Sequence, residues 1–337
     1  MTRVPITGIG VIAPSAIAPI DRFDTTGLSA HTAALVRDFK PKDYIAPMKM
    51  RRMNGLSRLA MAAAKLAIAD CGAVLPANTG VAMGTAFGPV QTSVDYMREY
   101  VEKGAALAPP QLFAESVANA PGSHIAIEWG LRGFNVTITQ RESSALAAAM
   151  YACAQLAKGT VHAALIGGVD EVNEMLFSVL DRIGALDDAG LDGMVIGEGS
   201  AVLVAGSACA REPYAHFSGF GIARDATATI SDWGSDHESV ARAMRAAIDD
   251  AEIALEDIDA VHVSANGSRR CDALEARALD ALFGAKMPRL VNTKKIYGEY
   301  AASGALQIVE AVRNVERHLL VNSISAGGGI VCAVISR

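Results

Sequence analysis

What the chain has little of bounds it first. No apolar run approaches the roughly 18 residues a membrane-crossing helix needs, and no basic segment followed by a long apolar one opens the sequence. Neither an anchor nor a secretory leader is expected, and the protein reads as cytoplasmic. Cysteine is scarce: Cys71, Cys153, Cys209, Cys271 and Cys332 are odd in number, scattered, and mostly set in apolar segments. Such a set suits reduced core thiols better than a disulfide framework or a zinc site. Basic excess is missing too. With 30 Lys and Arg against 36 Asp and Glu the formal net charge is −6, which argues against a general nucleic-acid binder. The 7 histidines show no pairing at metal-ligand spacing; His162 and His262 fall at strand positions and read as core or sheet-face residues.

What is present is apolar bulk and alternation. At 337 residues, 51% hydrophobic and with 31 glycines, the chain can bury one large core or two fused ones. Strand-like segments (Val4 to Gly10, Thr79 to Gly84, Val136 to Thr139, His162 to Gly167, Met194 to Ala205) alternate with helical ones (Ser57 to Cys71, Val90 to Lys103, Ser116 to Trp129, and from Ser143 on). Pro109 and Pro110 mark a loop. From about His216 the pattern runs again, with helices at Asp236 to Glu252, Asp272 to Phe283 and Ala301 to Arg317 and strands at Ile258 to Ser264, Leu319 to Ser323 and Ile330 to Ile335. Alternation of this kind predicts an α/β protein of mostly parallel sheets covered by helices. No low-complexity linker separates the halves, 1–210 and 211–337, so they should form one body.

The segment Gly133 to Gly168, GFNVTITQRESSALAAAMYACAQLAKGTVHAALIGG, is the most informative. A β-branched strand enters a turn, an Ala-rich helix leaves it, and a second strand closes the unit. This is the frame of a nucleophile elbow, and Glu142 stands at its turn. The segment resembles the ketosynthases of fatty-acid and polyketide assembly, in which a cysteine at this position carries the acyl chain. Further segments are similar to that family in the same order: VPITGIGVIAP from Val4, SVANAPGSHIAIEWGLRG from Ser116, VIGEGSAVLV from Val195 and NSISAGGG from Asn322. The resemblance covers nearly the whole chain. It implies a thiolase-like, five-layer αβαβα body with two pseudo-symmetric halves. The chain is shorter than ordinary members.

The family works with a Cys-His-His set, and here all three positions differ. VSANGSRRCD (Val263 to Asp272) resembles the family's NAHGTxTxxxD turn with Asn266 in place of its histidine. TKKIYGEYAASGA (Thr293 to Ala305) resembles TKxxxGHxxGAAG, keeping Lys294 but offering Glu299 for the second histidine. Condensation needs a soft nucleophile, hydrogen-bonding groups that hold an enolate, and an oxyanion hole. A carboxylate at 142 could form only a reactive mixed anhydride, and it would repel the enolate. No condensation is expected from this subunit alone.

A branch of the family resembles this profile: the chain-length-factor subunits of type II polyketide and polyene systems, which lack the cysteine and pair with a competent ketosynthase. The resemblance implies a heterodimer. In it the edge strand Asn135 to Thr139, with Thr137 between, lies beside its counterpart, and Arg141 and Ala326 (where the family has a gating aromatic) stand by the tunnel. It also implies that 4'-phosphopantetheine arrives on an acyl carrier protein, that this chain holds no cofactor of its own, and that Lys49, Arg51 and Arg52 are candidate docking residues. A solvated helix start is the plainer reading of those three. Most such subunits carry glutamine at the lost nucleophile, so Glu142 is a departure. It reads as a plug favoured by backbone N–H groups at a helix start or by Arg141, with Lys294 as an ion-pair lysine and Asn266 satisfying its own turn. The alternative is a stand-alone decarboxylase or acyl hydrolase in which Glu142 and Glu299 form a carboxylate pair with split pKa values.

Overall fold

The computed structural model describes residues 3–188, 192–207, 211–230 and 232–337. Ten strands form one sheet, and their pairing shows how it is built. In the first half β1 (Val4–Ile12), β2 (Gly80–Gly84), β3 (Asn135–Ile138), β4 (Ala163–Asp170) and β5 (Gly199–Gly206) stand in the order β1-β5-β4-β2-β3. The first two junctions are antiparallel and the last two parallel. The second half repeats this with β6 (Ala215–Arg224), β7 (Ile258–His262), β8 (Arg289–Val291), β9 (His318–Ile324) and β10 (Gly329–Ser336) in the order β6-β10-β9-β7-β8, each junction in the same sense as its counterpart. The halves join where β1 meets β6 antiparallel, through Val4↔Phe217, Pro5↔His216 and Ile6↔Ala215.

The expectation of mostly parallel sheets is therefore corrected. The strand that closes each half returns antiparallel. Between β9 and β10 only residues 325–328 intervene, with Gly327 and Gly328 at φ 91° and 83°, and so short a turn cannot make a parallel crossover.

Helices α1 (Gly55–Cys71), α2 (Val90–Lys103), α3 (Pro110–Glu115), α4 (Ala120–Trp129), α5 (Ser144–Ala157) and α6 (Glu174–Arg182) belong to the first half. α7 (His237–Asp250), α8 (Arg269–Phe283) and α9 (Ala301–Asn314) belong to the second. Buried small and branched residues of α5 and α9, among them Ala145, Leu146, Ala148, Leu306 and Val309, pack against strand residues from both halves. The alternate residues of those strands point the other way, against α1 and α4 in one half and α7 and α8 in the other. The result is the expected αβαβα layering. α1 shows the local logic: the Asn54 side chain caps it, accepting from the Ser57 N–H at 2.6 Å, and Gly72 at φ 69° ends it. The close packing is itself repeated. A Cβ on Gly10 of β1 would come within 1.9 Å of the Ala63 carbonyl in α1, and one on Gly221 of β6 within 1.9 Å of the Ala243 carbonyl in α7.

Several local expectations shift. Pro110 opens α3 rather than extending a loop, as a proline at the first helical turn can, and the helix expected from Ser116 begins at Ala120. α6 was not anticipated. Its signal was present, an Asn173 cap accepting from the Leu176 N–H at 3.0 Å and a buried face of Leu176, Phe177 and Leu180. Cys153, Cys271 and Cys332 are free and buried, but Cys71 is disulfide-bonded, against expectation, and Cys209 lies outside the described residues. His262 is buried, and burial and then Arg289 push its imidazole down to about 4; His162 is exposed, just before β4. The halfway point expected at 210/211 abuts residues 208–210, which also lie outside the described set. Among the described residues no helix is long and apolar enough to cross a membrane, and no cluster of His, Cys, Asp or Glu could hold a metal ion.

Candidate functional site

The chain leaves β3 at Ile138 and enters α5 at Ser144 through a single tight turn over Arg141–Ser143. Arg141 adopts φ 50°, a left-handed conformation that costs an arginine on the order of 1 kcal/mol or more. Hydrogen bonds over-determine it: the Gln140 N–H donates to Ser144 Oγ at 2.8 Å, and Ser144 Oγ donates to the Arg141 carbonyl at 2.6 Å. The loop after β9 holds the other side. Ser143 N–H donates to Ser325 Oγ (3.0 Å), Ser325 Oγ to the Gln140 carbonyl (2.8 Å), and Ser323 Oγ to the Glu142 carbonyl (3.0 Å). These serines were not singled out in the sequence, although NSISAGGG contains two of them.

Glu142 is therefore presented inward, 2% exposed. Its Oε2 accepts from the Ala326 N–H at 3.1 Å, and Oε1 lies 3.4 Å from an Arg141 guanidinium nitrogen. Burial pushes the carboxyl up to about 7; Arg141 opposes the shift and the nearby Glu299 adds to it. The Ser143 N–H is taken by Ser325, while the backbone N–H of Glu142 itself helps to favour the ionised carboxyl. The elbow thus offers a carboxyl that holds a proton near neutrality, where a thiol would be needed. The Ala326 N–H, a donor of the kind that could serve an oxyanion, is already occupied by that carboxyl.

The other two changed positions meet each other. Glu299 Oε2 accepts from Lys294 Nζ at 2.6 Å and from Asn266 Nδ2 at 2.9 Å, and its Oε1 accepts from Ser303 Oγ at 2.9 Å. Lys294 also donates to the Ser264 carbonyl at 2.7 Å. Burial alone would lower this ammonium, but Glu299, with Cys271 and Glu275, holds it above its ordinary value. Asn266 does satisfy its own turn, accepting from the Ser268 N–H at 3.0 Å, but its amide also completes the Glu299 cluster. Arg141 pairs with Glu142, and Lys294 with Glu299. Both oxygens of Glu299 are engaged, Oε2 by two donors and Oε1 by one.

A cavity of about 600 Å³ opens beside the elbow, lined among others by Arg141, Met194, Thr229, Trp233, Arg270 and Ala326. Neither Glu142 nor Glu299 is among its lining residues. Asn135, Thr137 and Thr139 follow one another along β3 and its end; Asn135 and Thr139 are exposed, and the buried Thr137 Oγ1 has no partner among the described residues. β3 is the terminal strand of the sheet, so one of its edges is unpaired. Lys49 is tied to Glu128 at 2.7 Å, whereas Arg51 and Arg52 are exposed.

Known proteins resemble the chain over its length. The model described as "Beta-ketoacyl synthase, N-terminal domain" matches residues 15–208, and "Beta-ketoacyl synthase, C-terminal domain" matches residues 214–326. The 3-oxoacyl-[acyl-carrier-protein] synthase 2 of Vibrio harveyi is 27% identical over 355 aligned positions, covering 93% of this chain and 85% of that protein. Its namesake in Coxiella burnetii is 27% identical over 352, covering 92% and 85%. Among solved structures, the ishigamide ketosynthase/chain length factor superposes with TM-score 0.90 at 25% identity, covering 99% of this chain and 98% of that one. A beta-ketoacyl synthase from Burkholderia phymatum gives 0.88 at 23% identity over the whole of both chains.

Proposed function

This chain belongs to the beta-ketoacyl synthase family, and from that premise we propose that it is a non-catalytic chain-length-factor subunit. It pairs with a thiol-bearing ketosynthase and shapes the acyl tunnel of a type II polyketide, polyene or fatty-acid-like elongation system. One observation carries the reading: the elbow is kept, strain and serine supports included, while its functional residue is a buried carboxyl whose oxygen fills the Ala326 N–H. A scaffold held this carefully around a plugged centre suits a protein whose work is structural. Among the described residues no free cysteine stands at the elbow turn to hold an acyl chain as a thioester: Cys153, Cys271 and Cys332 are fully buried in helices and strands away from that turn.

The surface supports a partner. The free edge of β3 is a liability unless it is covered. In the same half, Met97 and Val101 of α2 and Phe113 of α3 are 52%, 76% and 57% exposed, and Val179 of α6 is 47% exposed. A cluster of this kind is what a second subunit buries. Asn135, Thr137 and Thr139 would lie in that interface, Arg141 and Ala326 would face the tunnel side, and Arg51 and Arg52 would meet the acidic carrier, whose phosphopantetheine arm brings the substrate.

The test is reconstitution with a cysteine-bearing ketosynthase and its carrier. A 1:1 complex is expected, with elongation that needs the partner's thiol and persists when Glu142 is replaced by Gln. A stable homodimer indifferent to any ketosynthase, or an acyl adduct on the isolated chain followed by elongation, would overturn the proposal.

A further inference from the structure

The segment between β1 and α1 folds back over the first turns of α1 and leaves a cavity of about 310 Å³ that no residue of the elbow turn lines. Arg58 and Leu59 reach it from α1, Glu171 from just after β4 and Glu198 from just before β5. Val36, Phe39, Pro41 and Val172 complete an apolar wall. The cavity is of the size and mixed character of a small-molecule site.

Its charges are matched except in one place. Arg22 gives both guanidinium nitrogens to Glu198 at 2.8 Å, and Arg37 pairs with Asp21. Arg58 is half-buried, and among the described residues it has no carboxylate within ion-pair distance. It donates to the Met50 carbonyl at 3.2 Å, and its Nε is buried without a partner. Glu171 rests against the start of α1, so closely that a Cβ on Gly55 would stand 2.3 Å from its Oε2, and its Oε1 also lacks a partner. A cation and a carboxyl thus line one space without pairing, where buried polar groups normally find partners.

The carboxyl is also able to donate. Burial, then Glu198 and Asp170, push it up to about 7, against the Leu56 N–H and Arg22. Glu171 lines a second cavity with Arg51, Arg52, Asp95 and Glu115, two cations and two acids, so burial and its acidic neighbours set the balance.

We propose that this cavity binds a small organic monocarboxylate: Arg58 matches its charge, Glu171 donates a hydrogen bond to it, and the wall of Val36, Phe39 and Leu59 takes its apolar body. The site goes beyond the chain-length-factor reading and does not depend on it. Charge-assisted hydrogen bonds of this kind are the strong ones. A neutral alcohol leaves Arg58 unmatched, and the second charge of a phosphate is opposed by Glu198 and Asp170.

The test is calorimetry on the full chain with benzoate, benzyl alcohol and inorganic phosphate. At pH 6 benzoate should bind about tenfold more tightly than either comparator. At pH 8 it should bind about tenfold more weakly than at pH 6 and take up a proton, because the bound form needs Glu171 protonated. Arg58→Met keeps the stem and should lose about tenfold or more, whereas Arg58→Lys should retain most of the affinity. Glu171→Gln, which still donates, should bind benzoate and lose the pH dependence. Benzyl alcohol or phosphate binding as tightly as benzoate overturns the inference, and so does an Arg58→Met variant of unchanged melting midpoint that binds as before. If Arg58→Met does not fold, the three ligands and Glu171→Gln decide the matter, and the chain-length-factor reading stands in every case.

Discussion

Glu142 and Glu299 are the same residue in nearly the same place. Each stands two positions before a helix of the central layer, Ser144–Ala157 in one half and Ala301–Asn314 in the other, and each is 2% exposed. Their surroundings differ. Glu299 has a buried lysine at 2.6 Å, an amide and a hydroxyl. Glu142 has the Ala326 N–H at 3.1 Å, its own backbone N–H, and a guanidinium at 3.4 Å whose side chain is 34% exposed. A buried carboxylate is tolerable when its lone pairs are filled and its charge is matched, and otherwise it holds its proton. The second half has built a closed ion-pair cluster. The first has built a plug that is neutral or charged according to pH.

The largest way to break this contrast is to remove the lysine. Lys294→Met leaves Glu299 buried without a counter-ion and should cost about 3–5 kcal/mol, read as a loss of unfolding free energy in denaturant. Replacing both partners, Lys294→Met with Glu299→Leu, should restore most of it, since two apolar groups leave no orphaned charge. If the single and double variants are equally unstable, the pair is not what holds this half of the centre.

Much of this was legible in the sequence. Strand–helix alternation showed the α/β class and the repeat, while the five-layer arrangement and the expectation that Glu142, Asn266 and Glu299 replace a Cys-His-His set came from the motifs' resemblance to the ketosynthases. The partnerships were not. Whether Arg141 would reach Glu142 or Glu299 depends on a backbone turned to φ 50°, and no local pattern requires that of an arginine. The Asn266 to Glu299 bond spans 33 residues, and the Ser325 to Ser143 bond spans 182, so both exist only once two loops are brought together by the sheet. The cavity at Glu171 was missed for the same reason: Arg58, Glu171 and Glu198 come from three separate segments. Return strands were misjudged because alternation reports which segments are strands and says little about their direction.

A pH series sharpens the contrast next. The Glu142 carboxyl titrates near 7 in the folded protein against an ordinary value of 4.5. Its contribution is fully present below about 4.5, where both states are protonated. It is lost as pH rises through about 7, because the unfolded chain releases the proton more readily than the folded one. The loss is on the order of 3 kcal/mol. Glu142→Gln removes this titration, so its stability relative to the unmodified protein should improve by that order between pH 4.5 and 8 in urea titrations. Glu299→Gln should do the opposite at pH 8, because it strips Lys294 of its partner. Parallel pH curves for Glu142→Gln and the unmodified protein would show that Glu142 releases its proton as readily in the folded chain as in the unfolded one.

The smallest effect falls on the cation of the first half. Arg141 reaches Glu142 at 3.4 Å through a side chain that is one-third exposed, so water screens much of the attraction, and an exposed pair of this kind contributes up to about 1 kcal/mol. Arg141→Met keeps the long stem and the same strained φ, so the pair is what changes. The variant should lose less than about 1 kcal/mol at pH 8 and nothing measurable at pH 5, where Glu142 is protonated and has no charge to match. A loss at pH 8 as large as that of Lys294→Met would mean that the two halves hold their glutamates in the same way, and the plug would then be a second closed ion pair.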